Sequence, residues 1–224
     1  MPEPERDISF NRAFDRLVAE RRSIRRYLPG KVPESDITAM AGCAAQMPAP
    51  SNRRPVRLVH IASPDKKEQI RKAMAAGFDG FLAQAGKIEK PRKIKNVINF
   101  YWRFSEFMLD APVLFAAGTV QETDGFTARL ARAGILDPSA VDTKEADITT
   151  GIYLSALIHK AKALGLGTCI LTAPLVFVRD MKGLAENIGL PGNLSVRAFV
   201  TAGYADETPV PPGKPDVEDI LISI

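Results

Sequence analysis

Residues 148–164 are apolar nearly all round, with only a few polar interruptions. A helix without a polar face is a buried helix, so the rest of the chain has to enclose it. The segment runs through Gly165-Leu166-Gly167 into the apolar stretch 168–172. That order reads as a helix, a glycine C-cap and a strand. Gly151 inside the helix predicts close packing against another backbone. The chain has 224 residues, enough for one domain with a sizeable core.

The remaining elements follow from periodicity and punctuation. Phe10, Ala13, Phe14, Leu17 and Val18 recur at helical spacing over residues 9–20. Residues 33–46 form a second helix with Ile37, Met40, Ala41 and Ala44 on one face and Glu34 and Asp36 in its first turn. Three prolines in 47–55 make that stretch a stiff, extended loop. Residues 56–62 alternate as a strand does, and Pro64 at the first helical position opens another helix. Gly77, Gly80 and Gly86 are expected to break any long helix there. A basic run at 87–95 follows, then four aromatics in Phe100-Tyr101-Trp102-Arg103-Phe104. These read as core, or alternatively as a mobile cover over a planar ligand. Residues 112–117 and 196–202 are strands, 121–147 loop and short helix, and 219–224 a terminal strand. Helices and strands mix without strict alternation, which favours α+β over a doubly wound sheet.

Composition narrows the function classes. No apolar run reaches the ~18 residues needed to span a bilayer, and residues 1–7 lack the apolar stretch of a secretion signal. Two cysteines, Cys43 and Cys169, make no disulfide framework, so a reducing cytoplasm is the expected compartment. His60 and His159 do not pair with them at zinc-ligand spacing. No Gly-x-Ser-x-Gly elbow supports a serine hydrolase. The net charge of +4 is mild, and basic clusters alternate with acids, which argues against nucleic-acid binding.

One cluster stands out. Arg21-Arg22-Ser23-Ile24-Arg25-Arg26-Tyr27 sets four guanidinium forks and a hydroxyl in seven residues. Such forks match phosphate oxygens in a bidentate way. Part of the cluster is equally a favourable end to the preceding helix. The Gly165-Leu166-Gly167 turn is neither a dinucleotide fingerprint nor a Walker loop.

On these motifs the chain resembles the FMN-dependent nitroreductase family. Residues 21–27 resemble its opening Arg-Arg-Ser-x-Arg-x-Phe. Residues 47–55 resemble its Ala-Pro-Ser-x-x-Asn-x-Gln-Pro loop, matching at Pro48, Asn52 and Pro55. Residues 163–170 resemble its Ala-Leu-Gly-Leu-Gly-Thr-Cys-Trp. Ala202-Gly203-Tyr204 and Lys214-Pro215 resemble its closing Leu-Gly-Tyr-Pro and Arg-Lys-Pro. The resemblance implies an α+β fold with a mainly antiparallel central sheet flanked by helices. It also implies a C-terminal strand exchanged in a homodimer, one domain over residues 1–224, and 77–110 as a substrate-side insertion or lid.

The cofactor implied is FMN at the dimer interface, with NAD(P)H as electron donor and a small aromatic acceptor. Arg21, Arg22 and Ser23 would hold the phosphate, completed by Lys214. Arg25 would lie by the flavin N1–C2 edge, where a cation favours reduction. Pro48, Ala49, Pro50 and Asn52 would come from the second subunit. Ile170, Leu171, Thr172 and Ala173 would run beside the isoalloxazine. The chain departs from the family pattern at Ala49-Pro50, where the family has paired serines, at Arg54-Pro55-Val56 and at Gly213. The expected activity is hydride transfer from NAD(P)H through the flavin to a nitroaromatic or quinone. The alternatives are a flavin-destroying or dehalogenating enzyme, as in cobalamin lower-ligand synthesis or iodotyrosine deiodination, and a non-catalytic anion-binding protein that has lost FMN.

Overall fold

A computed structural model describes residues 8–120, 125–137, 144–213 and 215–223. Among the described residues, four strands form one sheet in the order β1-β2-β4-β3. They are β1 (Val56–His60), β2 (Val113–Val120), β3 (Gly167–Leu171) and β4 (Leu194–Gly203), and every pairing is antiparallel. The expected α+β class and antiparallel sheet are both present.

Helices cover both faces of the sheet, which explains the unbroken apolar run of β2: its first seven residues are all buried. Val113, Phe115 and Ala117 point to a core shared with α2 (Glu34–Ala45) and α6 (Lys144–Ala163). Leu114 and Ala116 point to a second core with α3 (Pro64–Ala85), α7 (Ala173–Phe177) and α8 (Met181–Ile188). α1 (Ile8–Glu20), α4 (Pro91–Glu106) and α5 (Phe126–Arg132) complete the described helices. Ile37, Met40 and Ala44 are buried, as the spacing in α2 requires. β2 and β4 slip register between Ala117 and Gly118, and a Cβ at Gly118 would lie 2.0 Å from the Ser195 carbonyl oxygen. Only glycine allows that approach.

Five expectations need correction. Gly77 and Gly80 do not break a helix; α3 runs straight through both. At Gly77 the missing side chain lets α7 close on α3, because a Cβ would sit 1.8 Å from the Phe177 carbonyl oxygen. α6 is buried on one side only, through Tyr153, Leu154, Leu157 and Ala161, while Ile148 is 63% exposed. Gly151 meets nothing within 4 Å among the described residues, so there it marks no close backbone contact. The apolar positions of α1 are likewise uncovered: Phe10, Phe14 and Val18 are exposed. The C-terminal segment is not a strand in the single chain. Val217–Asp219 is a 3₁₀ turn, and Ile220, Leu221 and Ile222 stand exposed.

Candidate functional site

The arginine cluster lies on the open edge of the sheet. β3 is the edge strand, and the chain leaving α1 runs against it. Ile24 donates its backbone N–H to the Thr168 carbonyl at 2.9 Å, and Ser23 and Thr168 form a single parallel bridge. Tyr27 then bridges Ala205, and Leu28 N–H donates to the Tyr204 carbonyl at 2.8 Å. Two glycines make this docking possible. A Cβ at Gly167 would fall 2.5 Å from Ile24 Cγ1, and one at Gly203 would fall 2.8 Å from Tyr27 Cδ1. The hydroxyl of the half-buried Tyr27 donates to the Ile24 carbonyl at 2.7 Å and meets Thr201 Oγ1 at 2.7 Å. Burial pushes the Tyr27 phenol well above its ordinary value.

The four arginines divide into two roles. Arg22 Nη1 donates to the Ala19 and Arg21 carbonyls at 2.7 and 2.6 Å, capping the end of α1. Arg26 pairs with Glu207 at 3.8 Å and donates to the Asp206 carbonyl at 3.1 Å. The same Glu207 carboxylate accepts the backbone N–H groups of Arg25 and Arg26. Arg21 and Arg25 keep guanidinium groups that pair with no carboxylate among the described residues. Arg22 Nε is buried with no partner. An orphaned buried donor beside two uncompensated cations fits an anion with several oxygens.

Cys169 lies under this cluster. Burial raises its thiol above the ordinary value, opposed by the charges of Arg25 and Arg21 and a hydrogen bond from Ser23. The thiol is therefore neutral core rather than a nucleophile.

Arg25 also reaches the other layer. Its guanidinium carbon lies 5.1 Å from the ring centre of Phe104 on α4. The four aromatics of this helix split between its faces. Trp102 packs into the core against Phe78 and Phe177, with ring centres 4.6 and 5.5 Å away. Phe100, Tyr101 and Phe104 are exposed, with Phe100 and Phe104 in contact at 4.6 Å. The sequence signal was thus half core and half surface. At the other end of α4, the first turn holds no acid, while Lys90, Arg92 and Lys93 lie together with Pro91 and Asn96 on an open surface patch. Cations there oppose the helix dipole by roughly 0.3–1 kcal/mol each at low salt.

The remaining expected residues are only partly gathered. Ile170 is exposed on β3 and Leu171 is buried. The strand stops at Leu171; Thr172 is the N-cap of α7 and Ala173 its first residue, because Pro174 cannot continue a ladder. Pro48 and Pro50 are exposed and Ala49 is half-buried against the core. Asn52 has φ of 53°, the left-handed conformation that asparagine tolerates. No hydrogen bond among the described atoms joins 48–52 to the arginines. Lys214 lies outside the described residues. Sequence reasoning missed Glu207, which no local pattern marks, and Phe104, whose contact with Arg25 needs the fold. A concavity of about 410 Å³, between α3 and α8 and including Lys72 and Arg179, lies away from the cluster.

An antiparallel sheet between two helical layers, with an arginine segment docked on its open edge, is the architecture of a flavoprotein class. The Nitroreductase family pattern matches residues 18–204, and the chain belongs to that family. Solved structures agree in fold. A BluB-like flavoprotein from Clostridium difficile 630 superposes with a TM-score of 0.82 at 22% identity, covering 94% of this chain and 98% of that one. A nitroreductase with bound FMN from Desulfitobacterium hafniense DCB-2 gives 0.67 at 18% identity, covering 93% and 96%. An iodotyrosine deiodinase bound to FMN and 3-iodo-L-tyrosine gives 0.64 at 16%, covering 94% and 97%.

Proposed function

We propose that this chain is an FMN-dependent oxidoreductase that takes a hydride from NAD(P)H and reduces a flat electrophile such as a nitroaromatic or quinone. The observation that carries the reading is the pair of uncompensated guanidinium groups, Arg21 and Arg25, fixed on the edge of β3. Arg21, Arg22 and Ser23 hold the phosphate, with Lys214 contributing. Arg25 stands by the N1–C2 edge of the ring system. Residues 170–173 flank the ring plane. Bound FMN supplies the hydride-accepting and hydride-donating atom; the protein holds it, tunes its charge and keeps a slot beside it.

The second subunit completes the site in this reading. Pro48, Ala49, Pro50 and Asn52 reach across from the partner, and the exposed apolar residues of α1, α6 and 220–222 form the interface. Their exposure in one chain supports a homodimer. Sedimentation of the flavin-loaded protein as a monomer would refute that part.

A dehalogenating activity is the second reading. It is supported by the likeness to the deiodinase and by the exposed rings of Phe100, Tyr101 and Phe104, the last of which lies over Arg25. Halide release from a halogenated phenol separates it from nitroaromatic reduction.

The test is the visible spectrum of the purified protein, followed by FMN titration and anaerobic reduction with NADH and NADPH. A yellow protein is expected. Arg25→Ala is expected to weaken FMN binding about tenfold, the equivalent of one charge-assisted hydrogen bond, and to slow flavin reduction. Colourless protein that refuses added FMN would sink the proposal.

A further inference from the structure

The cationic end of α4 has no partner inside the described chain. Lys90, Arg92 and Lys93 make no ion pair with any described residue, and the first turn of α4 carries no acid. Yet this end connects to the arginine cluster. Lys93, Val97, Phe100 and Phe104 follow the spacing i, i+4, i+7, i+11, so they share one face of α4. All four are exposed. Phe104, at the far end of that face, sits over Arg25. The result is an open lane with a cationic surface patch at one end, aromatic rings along it and the proposed flavin site at the other.

The length of the lane decides what it suits. Eleven residues of helix at a rise of 1.5 Å separate Lys93 from Phe104 by about 16 Å. A nitroaromatic or quinone beside Arg25 cannot reach Lys93 at that distance. An extended dinucleotide can, with its nicotinamide at the flavin and its adenosine along or beyond the aromatic rings. NADH carries no charge on its adenosine ribose. NADPH carries a 2′-phosphate there, of charge roughly −1.5 to −2 at neutral pH.

We propose that the cationic end of α4 binds the 2′-phosphate of NADPH, making Lys90 and Lys93 specificity residues that select this donor over NADH. The inference rests on the oxidoreductase reading above and names its donor. The aromatic lane gives the adenine a stacking surface at Phe100, and Arg92 adds charge that draws the phosphate in.

The experiment compares the wild type with Lys90→Gln/Lys93→Gln. Both side chains are exposed, so folding is not at risk. The readout is the ratio of kcat/KM for NADPH to that for NADH, with FMN content measured on the same samples. The wild type is expected to prefer NADPH, and the double variant to lose at least tenfold of that preference. Equal use of both donors by the wild type, or a preference that survives in the variant, overturns the proposal. Calorimetry with adenosine 2′,5′-bisphosphate gives a readout that needs no turnover. Should FMN fail to bind, or neither nicotinamide reduce it, the oxidoreductase reading fails and this titration alone decides. Binding to the wild type that weakens at least tenfold in the variant upholds the phosphate site; absent or equal binding overturns it.

Discussion

Gly167→Ala probes the joint on which the site depends. The added Cβ would lie 2.5 Å from Ile24 Cγ1, 2.8 Å from its Cβ and 3.0 Å from its Cγ2. That is about 1 Å inside the optimal carbon–carbon separation of roughly 3.5–4.0 Å. Ile24 cannot simply step aside, because it is buried and its backbone N–H is bonded to the Thr168 carbonyl. Relief therefore means lifting residues 23–25 away from β3. Overpacking of this kind costs about 1–3 kcal/mol. For a chain of this size each kcal/mol lowers Tm by roughly 2–4 °C. FMN affinity should fall in parallel, because Arg21, Ser23 and Arg25 ride on the displaced segment. Ile24→Ala removes two of the three offending atoms, at a cavity cost of about 2–5 kcal/mol alone. The double variant should consequently be less destabilised than the sum of the singles, measured by denaturant unfolding. Strict additivity, or wild-type stability in Gly167→Ala, would refute the reasoning.

Two further outcomes are expected. In α3, Gly77→Ala should destabilise by about 3 kcal/mol or more, since its Cβ meets a backbone oxygen at 1.8 Å. Gly80→Ala should stabilise by about 0.5–1 kcal/mol, since its Cβ meets only Arg179 Nη2 at 3.6 Å and alanine favours helix. Thermal unfolding of the pair reads opposite signs. Tyr27 gives a pH signature. Its folded pKa lies above the unfolded value of 10.0, so its stabilising contribution is full below about pH 10. Above that pH the unfolded chain gives up the phenolic proton first, and stability is lost as pH rises. Tyr27→Phe should flatten the alkaline fall in unfolding free energy; an unchanged slope would count against this account.

Much of the fold was legible because its signals are local. Pro64 after Ser63 marks the start of α3, where the Ser63 side chain accepts the Lys66 N–H at 3.5 Å. The apolar run of β2 and the glycine turn before β3 also stand where the sequence put them. The failures share one cause: their meaning depends on what lies opposite. Gly77 looks like a helix breaker until Phe177 is seen against it. The open faces of α1 and α6 look like core because apolar residues alone do not say which chain covers them. In the candidate site, the arginine segment and β3 were identified separately, but the Ile24–Thr168 hydrogen bond that joins them was not. Glu207 was invisible because an acid in a proline-rich stretch has no pattern until the fold sets it against the Arg25 and Arg26 amides.

The Glu207 clamp spans 182 positions of sequence at Arg25. A polypeptide leaves the ribosome with its N-terminus first. The arginines thus emerge long before either β3 or the carboxylate that seats them. Until then the segment has no edge strand to dock on, and Arg25 and Arg26 lack the carboxylate that seats them. Synthesis must run past Glu207 before the site can form, so a chain stopped ahead of that residue would carry every arginine of the cluster and still lack the shape that gives them a purpose.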